Sequence, residues 1–225
     1  MLPDLERDEV DFLSLLSEAN RRRLLENSTK TEYRAGAIAY DPEGPPRAFL
    51  LDRGLARAYV STPDGRQATC TFFHSSELIG GTTIVSHPPR ILVQVIVKSS
   101  LISLDLPKLR KLVATESQVT GAVAVHLAAL VRNAFRVIAV RSLGDIRERL
   151  AYDLLDRACR SQLEVGRLEA RATHTDLADS IGSAREVVGR TLSRLREEGI
   201  VESAPGLVRV VDPLRLAGIV RAFVF

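Results

Sequence analysis

Apolar residues along the chain change their spacing three times, and each change marks a different class of element. Phe12, Leu13, Leu15, Leu16, Leu24 and Leu25 recur near helical spacing with Arg21–Arg23 on the solvated side, which predicts helix over the first 30 residues. From Arg34 the pattern becomes one of short apolar runs: Ile38–Tyr40, Phe49–Leu51, Ala56–Val60, Ala68–Phe73, Ile91–Val97 and Leu101–Leu106. Asp41-Pro-Glu-Gly-Pro-Pro46, Gly54, Pro63-Asp64-Gly65, Gly80-Gly81 and His87-Pro-Pro89 separate them. Strands interrupted at this pace by Gly, Pro and Asp-Gly turns predict an antiparallel sandwich or roll. Ile91–Val97 is apolar on both parities, as a central strand covered on both faces must be.

Around Val119 the period returns to that of a helix. Val123, Leu127, Leu130, Ala134, Val137 and Arg141 follow one another in alternating four- and three-residue steps. Such a stripe on one long helix is best buried by its twin in a second chain, so these positions predict dimerisation. Packing of the helix on its own β-domain is the alternative. Ile146, Leu150, Leu154 and Ala158 then mark an amphipathic helix, followed by two shorter ones.

The stretch that carries function runs from Thr173 to Leu195. Thr173-x-x-Asp176 is a capping box, and Leu177, Ala178 and Ile181 form the buried side of the helix it opens. Gly182 permits a reversal, and Ser183-x-x-Glu186 reads as a second capping box. Val187, Val188, Leu192 and Leu195 lock the second helix against the first, so its N-terminal residues project outward. Arg185 and Arg190 suit guanine O6 and N7, while Glu186 suits cytosine N4. Gly189 clears space for a close approach of backbone to DNA. Thr173, Thr175 and Ser183 suit phosphate contacts, which position without specifying. Gly199 closes the helix, Ser203-Ala-Pro-Gly206 turns, and Leu207–Val211 reads as a strand, giving a winged helix-turn-helix.

Charge sharpens this reading by withdrawing one argument for it. The chain's net charge is +3, yet residues 142–225 hold 13 arginines, no lysine and 13 acids. A neutral domain binds DNA through particular arginines and not through bulk charge. Asp4, Glu6, Asp8, Glu9 and Asp11 are the wrong chemistry for a secretory signal, and no unbroken apolar run approaches about 18 residues, so a cytoplasmic protein with no membrane partner is expected. Two cysteines, Cys70 and Cys159, exclude a disulfide framework or a four-cysteine iron–sulfur cluster. HExxH, GxSxG, Walker and GxGxxG motifs are missing, and His74, His87, His126 and His174 form no metal spacing, so neither catalytic nor metal-binding residues are expected.

The segment Asp176-Leu-Ala…Ile-Gly-Ser…Arg-Glu-Val-Val-Gly-Arg190 resembles the cyclic-AMP receptor protein and fumarate–nitrate regulator superfamily. Gly36, Gly44, Gly54, Gly65 and Gly80 stand at that family's β-roll turns. The resemblance implies an α+β fold over nearly the whole chain. Residues 1–116 would form an effector-sensing antiparallel β-roll of the cyclic-nucleotide-binding jelly-roll type, with an N-terminal helix. Residues 117–141 would form the dimerisation helix, and 142–225 the winged helix-turn-helix, with a hinge at Gly144-Asp145. It also implies a homodimer on two-fold, TGTGA-like operators, with half-sites about 34 Å apart, and RNA polymerase as a partner. A cyclic-nucleotide-binding regulatory module that does not read DNA is the rival, but it would need neither Ser183–Arg190 nor a wing.

The resemblance places the effector at a Gly-Glu pair and, about ten residues on, an Arg-Ser pair. Here those positions read Gly80-Gly81 and Arg90-Ile91, and the family's polar adenine contacts fall at Ala134 and Phe135. Arg90 suits a phosphate, but the acid for the ribose hydroxyls is missing, which argues against cyclic AMP bound in the usual way. His74, His87 and Cys70 are chemically capable haem ligands, yet none stands where haem-binding relatives place theirs. The effector stays unidentified at this level. The apolar tail Ile219–Phe225 is expected to pack against the body of the protein.

Overall fold

Strand burial sets the first layer. The computed structural model describes residues 10–86 and 90–223. The chain folds as two compact units, Met1–Arg66 with Cys70–Arg132 and Gln67–Thr69 with Asn133–Phe225. The division falls within the long helix, whereas the sequence placed the limits at its two ends. The acidic N-terminal residues Asp4, Glu6, Asp8 and Glu9 lie outside the described residues, as do His87 and the last two residues of the apolar tail.

The first unit opens with a 3-10 turn at Leu13–Leu15 and helix α1 (Glu18–Leu25). Strands β1 (Thr29–Tyr33), β2 (Ile38–Tyr40), β3 (Ala48–Arg53), β4 (Leu55–Ser61), β5 (Gln67–His74) and β6 (Leu78–Ile79) follow. Helix α2 (Gly81–Val85), strands β7 (Leu92–Val95) and β8 (Ser99–Leu104), helix α3 (Leu106–Thr115) and the start of α4 (Ser117–Leu143) complete it. The strands form two four-stranded sheets, ordered β1-β8-β3-β6 and β2-β7-β4-β5. β7 is indeed internal. β1 carries no large aliphatic residue and is mostly exposed at a sheet edge, which is why the apolar pattern missed it.

Along β3 successive side chains serve two cores. Phe49 and Leu51 join Ala39, Tyr40, Ala56, Ala58, Phe73, Val93 and Val95 in one cluster. Ala48 and Leu50 join Phe12, Leu16, Leu24, Leu109, Leu112, Val119 and Val123 in the other, so the helices cover the opposite face. The run Leu101–Leu106 is strand only to Leu104. Asp105 caps α3 by accepting from the Lys108 N–H, and Pro107 follows in the first turn, which turns the remainder into helix.

The second unit takes the rest of α4, then α5 (Ile146–Val165), β9 (Glu169–Arg171), α6 (His174–Ile181), α7 (Arg185–Glu197), β10 (Val201–Ala204), β11 (Leu207–Val210) and α8 (Pro213–Arg221). Asp145 and Glu148 form a reciprocal capping box that restarts the chain as α5 directly after Gly144. The Gly144 N–H bonds the Val140 carbonyl at 3.1 Å, and a Cβ there would lie 2.5 Å from that oxygen, so the helix end accepts no side chain at this point. β10, β11 and β9 make a three-stranded antiparallel sheet in that order. Leu150, Leu154 and Ala158 of α5 are buried, as are Leu216, Ala217 and Val220 of α8, the helix that packs along α5. Of the apolar tail, Ile219 to Arg221 lie in α8, and the Phe223 carbonyl accepts from Arg136 Nε at 2.9 Å.

Candidate nucleic-acid interface

Local bonds place the outward helix. Thr173 Oγ1 accepts from the Asp176 N–H at 3.1 Å, and Asp176 Oδ2 accepts from the Thr173 N–H at 2.8 Å, which starts α6 as expected. That backbone bond from Thr173, joined by its hydroxyl, holds the Asp176 carboxyl below the usual carboxylate range. Gly182 ends α6 in the left-handed region at φ 61, and the Ser183 N–H bonds the Ala178 carbonyl at 2.9 Å.

This closure corrects the second capping box. Ser183 is spent on ending α6, and Ala184 is the N-cap of α7, without a side-chain bond. The Ser183 hydroxyl is buried and has no hydrogen-bond partner among the described residues, so it does not cap α7. Glu186 is accordingly not a capping acid. Its carboxylate forms no side-chain bond among the described residues.

Leu177, Ala178 and Ile181 of α6 and Val188, Leu192 and Leu195 of α7 are buried, and Val187 is half-buried. Arg185, Glu186 and Arg190 are exposed on the first two turns of α7, and none makes an ion pair among the described residues. Thr173 and Thr175 are exposed at the start of α6. Gly189 faces α6: a Cβ on it would stand 3.5 Å from His174 Nδ1, an ordinary contact. Packing of the two helices therefore does not by itself require glycine at this position.

Ion pairs fix the frame around these two helices. Arg147 of α5 donates to both Glu198 carboxylate oxygens at 2.7 Å, and Arg215 donates to the Glu198 carbonyl at 2.8 Å. The Arg147 guanidinium holds the Glu198 carboxyl below its usual range. Ser180 at the end of α6 donates to Asp153 of α5 at 2.7 Å, and the same carboxylate takes Arg157. On the wing, Arg209 bridges Glu169 and Glu202 at 3.2 Å each. Arg185, Glu186 and Arg190 stand outside these ion pairs among the described residues, as do the exposed Arg194 and Arg196 further along α7.

The stripe read from the sequence for dimerisation is covered or half-covered by its own chain. Val123 belongs to the core of the first unit, Leu127 and Leu130 pack against its two clusters, Ala134 is half-buried, and Val137 is buried. The exposed apolar positions stand one residue later: Ala124, Ala128, Val131, Phe135 and Ile138, the last three 54%, 56% and 60% exposed. One residue turns a helix by about 100°, enough to exchange a covered face for an open one. The helix is apolar nearly all round, with a mean hydropathy of 1.6 over 18 residues, long and apolar enough by those measures to cross a membrane. Valines, leucines, Ile138, Phe135 and alanines produce that value, interrupted by His126, Arg132, Asn133 and Arg136 so that no unbroken apolar run forms.

At the effector positions Gly80 caps α2 with φ 83, and Gly81 begins it. A Cβ at Gly81 would stand 2.8 Å from Nε2 of His126 on α4. His126 is only 2% exposed, meets Phe12 edge-on with ring centroids 6.1 Å apart, and its Nε2 lacks a partner among the described residues. Burial pushes its pKa down to about 4, so the imidazole is neutral. Arg90 is 85% exposed and pairs with Glu43 at 2.8 Å. Of the candidate haem ligands, His74 and Cys70 lie on β5, and His87 lies outside the described residues.

Comparison with known proteins places this geometry among characterised ones. Residues 148–219 match the Crp-like helix-turn-helix domain. The chain is 30% identical over 163 residues to the cyclic AMP receptor protein of Thermus thermophilus, covering 72% of this chain and 74% of that protein. It is 26% identical over 181 residues to a CRP-like cAMP-activated global transcriptional regulator of Mycobacterium tuberculosis, covering 78% and 81%. Among solved structures, a transcriptional regulator of the Crp/Fnr family from Eubacterium rectale superposes with a TM-score of 0.59 at 20% identity, covering 94% of this chain and 98% of that one. The c-di-GMP-responsive global regulator of Xanthomonas campestris does so with a TM-score of 0.54 at 19% identity, covering 86% and 99%. At these identities the two structures establish the fold.

Proposed function

The chain belongs to the CRP/FNR superfamily of transcription regulators, and on that premise we propose that it reads two-fold, TGTGA-like operators as a homodimer. The observation that carries the reading is the state of Arg185, Glu186 and Arg190. All three are exposed on the first turns of α7 and make no ion pair among the described residues, while the helix's other face is locked into the domain. Arg185 and Arg190 are assigned to guanine edges and Glu186 to cytosine, with Thr173 and Thr175 on phosphates.

A dimer needs a self-complementary surface. Gly121, Ala124, Ala128, Val131, Phe135, Ile138 and Ser142 are exposed on α4 in steps of three and four, which is the spacing of a two-helix seam. The seam is small at its start and bulky at its end. Two α4 helices joined along it would present two recognition helices for half-sites about 34 Å apart. RNA polymerase contact and residence in the cytoplasm are inherited from the family reading.

Selection of operators from random DNA by the full chain tests the proposal. Palindromic sites with TGTGA-like arms are expected. Arg190→Ala should weaken binding by about 1–3 kcal/mol and relax selection at one base position, with folding unchanged. Enrichment of no sequence, or undiminished selectivity of that variant, would reject the assignment.

A further inference from the structure

The named relatives include cAMP-activated regulators, so the fit of a cyclic nucleotide to this roll can be tested on its own residues. Two observations oppose it. Gly81 stands where the family resemblance places the acid for the ribose hydroxyls, and the direction any side chain would take from it is filled by His126, with Cδ2 at 2.7 Å and Nε2 at 2.8 Å from a Cβ. The imidazole cannot easily move aside, because it is buried between α2 and the Phe12 ring. Arg90, the phosphate partner in that resemblance, is turned to solvent and paired with Glu43.

We infer that His126 is a built-in occupant of the roll's effector position, and that cyclic nucleotides neither bind there nor control operator binding. The absent acid and the buried histidine are then one adaptation. A bare glycine at position 81 is what allows the imidazole to close over it, and with the imidazole there position 81 cannot carry an acid for the ribose hydroxyls. Close packing allows no compromise at such distances, since atoms of an interior fill their space to crystal density. The part about operator control rests on the DNA-reading proposal, while the closure of the position stands without it.

The test uses the full-length protein with cyclic AMP and cyclic GMP, each raised to about 1 mM, the upper end of ordinary working concentrations for a small ligand. The His126 ring signal is followed by NMR, assigned by its loss in His126→Gln, and operator affinity is followed by anisotropy. The expected result is an unmoved His126 signal and an operator affinity changed less than about twofold (under about 0.4 kcal/mol). Binding heat without a shift of His126 would place the nucleotide elsewhere and leave the closed position intact. A saturable shift of His126 that is lost in Arg90→Ala would overturn the closure, and a nucleotide-dependent rise in operator affinity of tenfold or more would overturn the independence. The NMR arm needs no DNA, so it decides the closure of the position whether or not the protein binds an operator.

Discussion

Gly81 and His126 share one space: a methyl group on Gly81 would lie 2.7 Å from Cδ2 and 2.8 Å from Nε2 of the imidazole. Gly81 has no positive φ, so only this contact, and not backbone strain, excludes a larger residue. Gly81→Ala is expected to cost about 1–3 kcal/mol through overpacking. In a His126→Ala background the same change should cost almost nothing, giving a coupling energy of comparable size in a urea double-mutant cycle. Additive effects would mean that the two residues do not compete for the space.

Burial of the same imidazole makes stability depend on pH. Its pKa is pushed down to about 4, whereas an unfolded histidine titrates near 6.5. Between those values the unfolded chain binds a proton that the folded chain refuses. The contribution is therefore complete above pH 6.5 and is lost as pH falls toward 4, amounting to about 3 kcal/mol. Urea denaturation across this window should show the decline in the wild type, and His126→Leu should flatten it.

The two serine and threonine positions around the helix-turn-helix should behave differently. Thr173 Oγ1 accepts from the Asp176 N–H, so Thr173→Ala should cost about 1 kcal/mol of stability. Ser183 caps nothing, so Ser183→Ala should be neutral or slightly stabilising, since it removes a buried hydroxyl without a partner among the described residues. Equal losses from both substitutions would restore the second capping box.

Phe135 and Val123 separate the two faces of α4. Phe135→Asp on the open face should dissociate the proposed dimer in sedimentation analysis while leaving each chain folded. Val123→Ala lies in the core of the first unit and should cost stability, about 1–3 kcal/mol, without changing the mass of the assembly. A monomer produced by Val123→Ala alone would favour the stripe read from sequence.

Local signals carried the winged helix-turn-helix. The Thr173–Asp176 box, Gly182, the spacing of Leu177, Ile181, Val188 and Leu192, and the turn at Gly206 act within a few residues of one another, so each is legible where it stands. The strands of the roll were legible wherever apolar residues marked them, as at β2, β4 and β5. β1 was hidden because an exposed edge strand needs no apolar face. The α7 start slipped by one residue because Ser183 answers to α6 behind it as well as to α7 ahead, and only the backbone bond to Ala178 decides between them.

What the sequence determined alone is the succession of elements, the helix pair that projects Arg185, Glu186 and Arg190, and the kinship those residues announce. What only the tertiary structure decided is which side of an element meets what. On a helix as uniformly apolar as α4, periodicity offers several equivalent stripes, and the choice among them is made by the core that covers Val119, Ala122, Val123 and His126. The same holds at Gly81. A glycine in the chain records only that a side chain is missing, while the imidazole that takes its place arrives from a helix 45 residues further on. Contacts over such separations leave no periodic trace in a sequence, because packing complementarity belongs to pairs of surfaces and not to stretches of chain.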